Sequence, residues 1–176
     1  MSASSASYSC PDCQDTGWYL LAVKYNNYGG AGTGDGLNRM AEAVLTPADL
    51  IWPLFVTSGT NTEEPIVSLP GVSRWSVDLV VERAKEAVSL GIPCLALFPN
   101  TQPELRSEDG REALNPDNLM CRAIRAIKDA CGDRIGVLTD VALDPYTSHG
   151  HDGLMEGDHI LNDATLEALV KQTIVQ

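Results

Sequence analysis

The chain has little positive charge. Its 176 residues include 12 Lys and Arg against 24 Asp and Glu, which gives a formal net charge of −12. No basic cluster interrupts this negative field, so a phosphate backbone or an anionic bilayer would be repelled. Uninterrupted apolar runs of the ~20 residues that span a bilayer are also missing. We therefore expect a soluble protein with no nucleic-acid partner and no membrane partner.

Cysteine is scarce as well. The five cysteines are an odd number and are scattered along the chain, which argues against a disulfide framework and favours a reducing compartment. Residues 1–9 are rich in Ser and Ala but hold no basic residue, so they do not indicate an export signal. We expect a cytoplasmic protein, and the N-terminal serines leave a plastid as the alternative.

Two compositional regions divide the chain. Residues 1–36 are rich in Ser, Gly, Tyr and Asn without a sustained period, and they end in a Gly-rich run at 29–36. This composition is typical of a flexible segment. We predict an atypical, flexible N-terminal region over 1–36 and a single α/β domain over 37–176.

Strand and helix patterns alternate over the second region. We predict strands at 50–56, 94–98 and 135–144, and helices at 76–90, from Asn115 to about Gly132, and from Asn162 onward. Strands that alternate with helices at this spacing indicate a parallel sheet with right-handed crossovers. An open doubly wound sheet and part of a (β/α)8 barrel both fit this order.

The last predicted strand ends in acidic residues. Because side chains alternate along a strand, Asp140, Ala142 and Asp144 are expected on one face. Val141 and Leu143 are expected on the other face, against the helices. The acidic face would point into the lumen at the carboxyl end of the strand, where α/β active sites lie. Carboxylates buried there require compensation, so we expect a metal, a cationic substrate, or both.

The loop after this strand adds further polar groups. Asp152 supplies a third carboxylate, and His149 and His151 supply two imidazoles. Oxygen-rich ligands suit hard cations such as Mg²⁺ better than Zn²⁺, which prefers thiolate and imidazole. The alternative is a polar loop in which the aspartates cap turns and the histidines are solvated.

The stretch from Asp140 to Gly153 resembles the metal-site signature of the delta-aminolevulinic acid dehydratases, also called porphobilinogen synthases. Further segments look like the same family in the same order, at 45–56, 69–72, 90–93, 96–99 and 115–117. The resemblance covers about residues 37–176. It implies a (β/α)8 TIM barrel, of which about the first three βα units are present. It also implies a hydro-lyase that condenses two molecules of 5-aminolevulinate into porphobilinogen for tetrapyrrole and heme biosynthesis.

The resemblance also implies roles for individual residues. Zinc-dependent members have cysteines at the positions that match Ala142, Asp144 and Asp152. The chain is therefore similar to the branch that uses Mg²⁺ or a monovalent cation, with no catalytic zinc and with Asp144 and Asp152 as metal ligands. Asp140 matches an aspartate expected to position or deprotonate the substrate. Tyr146 and Ser148 lie in the adjoining loop and complete the catalytic candidates.

One feature of the family is missing. Its members form Schiff bases through two lysines on later strands, whereas the lysines here are Lys24, Lys85, Lys128 and Lys171. None is predicted at a strand end in an apolar pocket that would lower its pKa. We expect an N-terminal part of a synthase that is inactive alone, and the atypical residues 1–36 put the family's homo-oligomer in doubt. The alternatives are a non-catalytic partner that modulates assembly of a full-length synthase and a different metal-dependent barrel lyase.

Overall fold

The computed structural model describes residues 44–176. The predicted flexible region at 1–36, with its Gly-rich run, lies outside the described residues. Contacts divide the chain into two units, and the larger comprises Leu45–Pro65 and Ser73–Gln176. The smaller unit includes Ile66–Val72, a tight turn in which the amide of Ile66 donates to the carbonyl of Val72 at 2.9 Å.

The larger unit is built from strands and helices that alternate along the chain. The strands are β1 (Ile51–Thr57), β2 (Glu63–Pro65), β3 (Ser73–Ser76), β4 (Cys94–Pro99), β5 (Gly136–Thr139), β6 (Met155–Glu156) and β7 (His159–Ile160), and the helices are α1 (Val77–Leu90), α2 (Leu119–Cys131) and α3 (Asn162–Val175). The first five strands form one sheet in the order β2-β3-β1-β4-β5, and β6 and β7 form a separate hairpin. Strands β3, β1, β4 and β5 are parallel, and β2 is antiparallel to β3.

The structure confirms the three predicted βα units. Strands β1, β4 and β5 lie side by side, and α1, α2 and α3 follow them in turn. Pro53 is tolerated inside β1 because β3 pairs only with residues 55–57, so at Pro53 the strand has β4 as its one neighbour within the described sheet. The predictions missed β2 and β3, which are short and rich in polar residues.

The helix ends follow local capping chemistry. Helix α1 ends at Gly91, as predicted, because this residue adopts a left-handed conformation with φ of 76°. The predicted start of α2 at Asn115 is wrong. The N-cap is Asn118, whose Oδ1 accepts the amide of Cys121 at 2.8 Å. Asn115 instead accepts the amide of Asp117 at 2.9 Å, and this turn delays the helix by three residues.

The strand predicted over residues 135–144 is shorter than expected. Strand β5 ends at Thr139. The amides of Tyr146 and Thr147 both donate to the carbonyl of Leu143, at 2.8 and 2.9 Å. These bonds close a turn, so the alternation of side chains predicted up to Asp144 does not extend beyond the strand.

Two hydrophobic clusters hold these elements together. The main core lies between the sheet and helices α1 and α2, and it includes the fully buried Val80, Leu97 and Ile127. A smaller cluster joins Leu143 and Tyr146 to α3. Helix α3 therefore packs on the loop after β5 rather than on the main core. Within residues 44–176, no helix is both long enough and apolar enough to cross a membrane.

Candidate active site

Four side chains form a row across the inner face of the parallel sheet. Phe55 of β1 is in register with Arg74 of β3 and with Phe98 of β4. Asp140 follows Thr139, which is in register with the residue before Phe98, so Asp140 lies level with the row. The two phenyl rings have centroids 5.6 Å apart. The row therefore has a cation at one end, an aromatic middle and a carboxylate at the other end.

This row lines a concave pocket of about 260 Å³ near the carboxyl ends of the strands. The other lining residues come from the loops after β4 and β5, and they are Pro99, Asn100, Asp144, Pro145 and Tyr146. The pocket is thus at the end of a parallel sheet where α/β enzymes bind substrates. It brings together three of the predicted site residues, Asp140, Asp144 and Tyr146.

Carboxylates crowd one side of this pocket. The pKa of Asp144 is raised, first by partial burial and then by the negative charges of Asp152 and Asp140. The positive charge of Arg106 acts in the opposite direction but is a smaller influence. Because like charges disfavour ionisation, the negative charges of Asp140 and Asp152 would attract a cation toward Asp144.

Asp152 also has a structural contact. Its Oδ1 accepts the amide of Leu143 at 2.6 Å and so ties the two ends of the loop together. Within residues 44–176, no three Asp, Glu, His or Cys side chains are grouped closely enough to hold a metal ion by themselves. Asp144 and Asp152 as metal ligands therefore stay a prediction.

The prediction that Asp140, Ala142 and Asp144 share one face is confirmed only for the two aspartates. Asp140 and Asp144 are exposed and line the pocket, whereas Ala142 is buried and its carbonyl accepts Nε2 of Gln172 at 3.1 Å. Leu143 packs in the small cluster against α3, on the helix side, as expected. The reason for the difference at Ala142 is that the chain has left the strand by this point.

Tyr146 is buried, with 1% of its surface exposed. Burial raises the pKa of its phenol well above the usual value. Its hydroxyl has no hydrogen-bond partner among the residues that the structure describes. The hydroxyl is itself buried, so Tyr146 forms part of the pocket wall, and its raised pKa makes the phenol a poor base.

Ser148 lies in a different concavity, outside the pocket of Asp140. This second concavity includes His149, His151 and Glu108. Nδ1 of His149 accepts the amide of His151 at 3.1 Å, and its Nε2 is 3.2 Å from the carbonyl of Glu108. The ring of His149 is thus engaged by the backbone through both nitrogens, which is the arrangement of a loop-ordering residue.

Lysine is absent from the lining of either concavity in the described part of the chain. Lys85, Lys128 and Lys171 lie on α1, α2 and α3, as predicted. Nζ of Lys128 donates to the carbonyl of Ile135 at 3.0 Å. Lys24 lies outside the described residues.

Sequence reasoning did not identify Arg74, Phe55 or Phe98 as site residues. Each belongs to a strand, but only the register between strands shows that they share one row. The available signal was the position of Phe55 and Phe98 at the ends of two neighbouring apolar strands. Arg74 had no such signal because β3 was not predicted.

Comparisons with known proteins identify a family for the segment that contains this pocket. The family model described as delta-aminolevulinic acid dehydratase matches residues 36–176. The dehydratase of Bradyrhizobium diazoefficiens is 59% identical over 135 residues, which are 77% of this chain and 38% of the relative. The chloroplastic dehydratase of Selaginella martensii is 46% identical over 138 residues, which are 77% of this chain and 31% of the relative.

A solved structure that is similar to the chain belongs to the same family. The crystal structure of delta-aminolevulinic acid dehydratase from Toxoplasma gondii, in complex with the reaction product porphobilinogen, superimposes with a TM-score of 0.76 at 42% identity. The match covers 80% of this chain and 40% of that one. The chain thus spans less than half the length of these relatives.

Proposed function

Because the chain belongs to the delta-aminolevulinic acid dehydratase family, we propose that it serves the condensation of two 5-aminolevulinate molecules into porphobilinogen, a lyase reaction of tetrapyrrole and heme biosynthesis. Its part would be to bind substrate in the pocket of Asp140. The observation that carries this proposal is the meeting of Asp140, Asp144 and Tyr146 in one pocket, within the segment that matches the family.

The chemistry of the pocket suits this substrate. An ammonium group is attracted by the carboxylates of Asp140 and Asp144, and the side chain of Tyr146 contributes to the wall beside them. We assign Asp140 to positioning the amino group or taking a proton from it. Ser148 has a weaker claim as a catalytic residue because it lines the other concavity.

A bound cation belongs to the same proposal. The carboxylate oxygens of Asp144 and Asp152 are hard donors that suit Mg²⁺, an ion that keeps several waters and often binds through one or two carboxylates. The raised pKa of Asp144 supports a compensating positive charge there. When bound, Mg²⁺ or a monovalent cation would supply positive charge that keeps these carboxylates ionised. We do not expect catalytic zinc, since its preferred thiolates are replaced by oxygen donors.

The isolated chain is proposed to bind 5-aminolevulinate without converting it. A Schiff base needs an amine with a lowered pKa, and no lysine of residues 44–176 lines the pocket. Porphobilinogen formation assayed with the 176-residue chain should therefore give no product. Measurable turnover would contradict this part of the proposal. Since relatives include bacterial and chloroplastic forms, the compartment would be the cytoplasm or a plastid.

Substrate binding tests the proposal directly. Titration calorimetry with 5-aminolevulinate should detect binding to the wild-type chain and about tenfold weaker binding to Asp140→Asn, because a charge-assisted hydrogen bond is lost. Asp133→Asn is the matched control, since Asp133 lies in the turn before β5, at the other end of that strand. Equal affinity of Asp140→Asn and wild type, or equal losses in both variants, would refute the proposed site.

A second candidate is a non-catalytic partner of a full-length synthase. It is favoured by the position of β5 at the edge of the described sheet and by the exposed apolar residues Leu166, Val170 and Ile174, spaced four apart on α3. Co-elution of the chain with an intact synthase on size-exclusion chromatography would support it. Separate elution at high concentration would count against it.

A further inference from the structure

Arg74 is a charged residue of the pocket that the proposed chemistry does not use. It is half-buried in β3 and lines the pocket together with Phe55 and Asp140. Among residues 44–176, no carboxylate lies within 4.0 Å of its guanidinium, although four other basic residues form such pairs. Glu64 is its neighbour across the antiparallel pair but forms no ion pair with it. A cation in a pocket wall that forms no direct ion pair attracts an anionic ligand group.

The row places opposite charges at opposite ends. Arg74 and Asp140 are separated by three strand spacings, which is about 14 Å between their Cα atoms. Both side chains line the same pocket, and the arginine is the longer of the two. The space that is left suits a short carbon chain with an anion at one end and a cation at the other.

The middle of the row is apolar. The rings of Phe55 and Phe98 lie between the two charged ends and contact each other at 5.6 Å between centroids. An aromatic surface lowers the local dielectric and strengthens the charge pairs at either end. It also provides contact for the methylene groups that separate the two charges of an ω-amino acid.

We propose that Arg74 is a substrate-binding residue whose guanidinium holds the carboxylate of 5-aminolevulinate, while Asp140 and Asp144 face the ammonium group at the opposite end of the row. The proposal rests on the proposed function for the identity of the substrate. A guanidinium is suited to this role because it donates two parallel hydrogen bonds to a carboxylate. The row thus selects the orientation of the substrate as well as its charge.

Three ligands distinguish the contribution of Arg74 to binding from that of Asp140. They are 5-aminolevulinate, 4-oxopentanoate, which lacks the ammonium group, and 1-aminobutan-2-one, which lacks the carboxylate. Calorimetry with the 176-residue chain should show that Arg74→Gln weakens binding of both carboxylates about tenfold or more and leaves 1-aminobutan-2-one unchanged. Asp140→Asn should give the converse pattern, with 4-oxopentanoate unaffected. Arg74→Lys should lose less affinity for the carboxylates, because lysine keeps the positive charge but cannot donate two parallel hydrogen bonds.

Arg122→Gln is the matched control for net charge. Arg122 is exposed on α2 and does not line the pocket. If Arg122→Gln weakens binding of the carboxylate ligands as much as Arg74→Gln does, the effect is one of overall charge and the proposal is overturned. Unchanged binding of 4-oxopentanoate to Arg74→Gln also overturns it, while the proposed function survives if Asp140→Asn still weakens 5-aminolevulinate. If the wild type binds none of the three ligands, both proposals fail.

A measurement on the wild-type chain covers the case in which Arg74→Gln does not fold. The side-chain Nε resonance of Arg74 should shift when 4-oxopentanoate is added and should stay in place with 1-aminobutan-2-one. A resonance that responds to neither carboxylate ligand overturns the proposal without any substitution.

Discussion

Asp152 has two separable effects in the structure. Its Oδ1 accepts the amide of Leu143 at 2.6 Å, and its negative charge raises the pKa of Asp144. Asp152→Ala removes both effects, whereas Asp152→Asn removes the charge but keeps an oxygen that can accept the same amide. The pair of variants therefore distinguishes the hydrogen bond from the charge.

The expected magnitudes differ between the two variants. A hydrogen bond to a charged acceptor contributes about 1.5–3 kcal/mol, and the lower value applies here because Asp152 is exposed to water. Removal of the repulsion between Asp152 and Asp144 raises the free energy of unfolding by about 0.5 kcal/mol, which is the scale of surface charge pairs. We expect Asp152→Ala to lower the free energy of unfolding by about 1 kcal/mol. Asp152→Asn should stay within about 0.5 kcal/mol of the wild type.

Two measurements check this expectation. Urea unfolding near neutral pH gives the free energies of unfolding, and NMR titration of the side-chain carboxyl gives the pKa of Asp144. That pKa should fall in both variants but stay above its ordinary value, because partial burial, the largest cause of its rise, is unchanged. Equal destabilisation by the two variants would refute the role of the hydrogen bond. A pKa of Asp144 that does not move would refute the repulsion.

Three further outcomes follow from the same contacts, each measured by urea unfolding. Asn118→Ala should lower the free energy of unfolding by about 1–3 kcal/mol, because α2 loses its N-cap bond to Cys121. Ile127→Ala should lower it by about 2–5 kcal/mol, since Ile127 is fully buried, whereas Leu166→Ala on the exposed face of α3 should change it by less than about 0.5 kcal/mol. Asp144→Asn should raise the free energy of unfolding near neutral pH and leave it unchanged at about pH 3. The pKa of Asp144 is raised in the folded state, so the stability that its protonated form contributes is present below the unfolded pKa and is lost as pH rises through the folded pKa.

Helix periodicity explains why much of the fold was predictable. Val80, Ala84 and Ala87 recur on one side of α1 and are all fully buried, as their spacing requires. Gly91 marks the end of that helix because few other residues adopt its left-handed conformation easily. Such signals are local, so the sequence alone was sufficient to find them.

The errors arose where two local signals competed. Asn115 and Asn118 can both cap a helix, and only the turn made with Asp117 decides between them. In the same way, the alternating residues after Thr139 fit a strand, but bonds to the carbonyl of Leu143 close a turn there. These choices depend on neighbouring segments, which a linear pattern does not contain.

The position of the site depends on the register of the sheet, and the core on the opposite face determines that register. Leu54 and Leu97 are in register and are buried against the helices, at 3% and 0% exposure. A slip of one residue would turn such side chains away from the core and would replace Phe55 in the row by an aliphatic neighbour. The apolar residues that face the helices therefore hold Asp140 level with Phe98 without touching the pocket. For this reason, substitutions in the core of this family should disturb ligand binding through register as well as through stability.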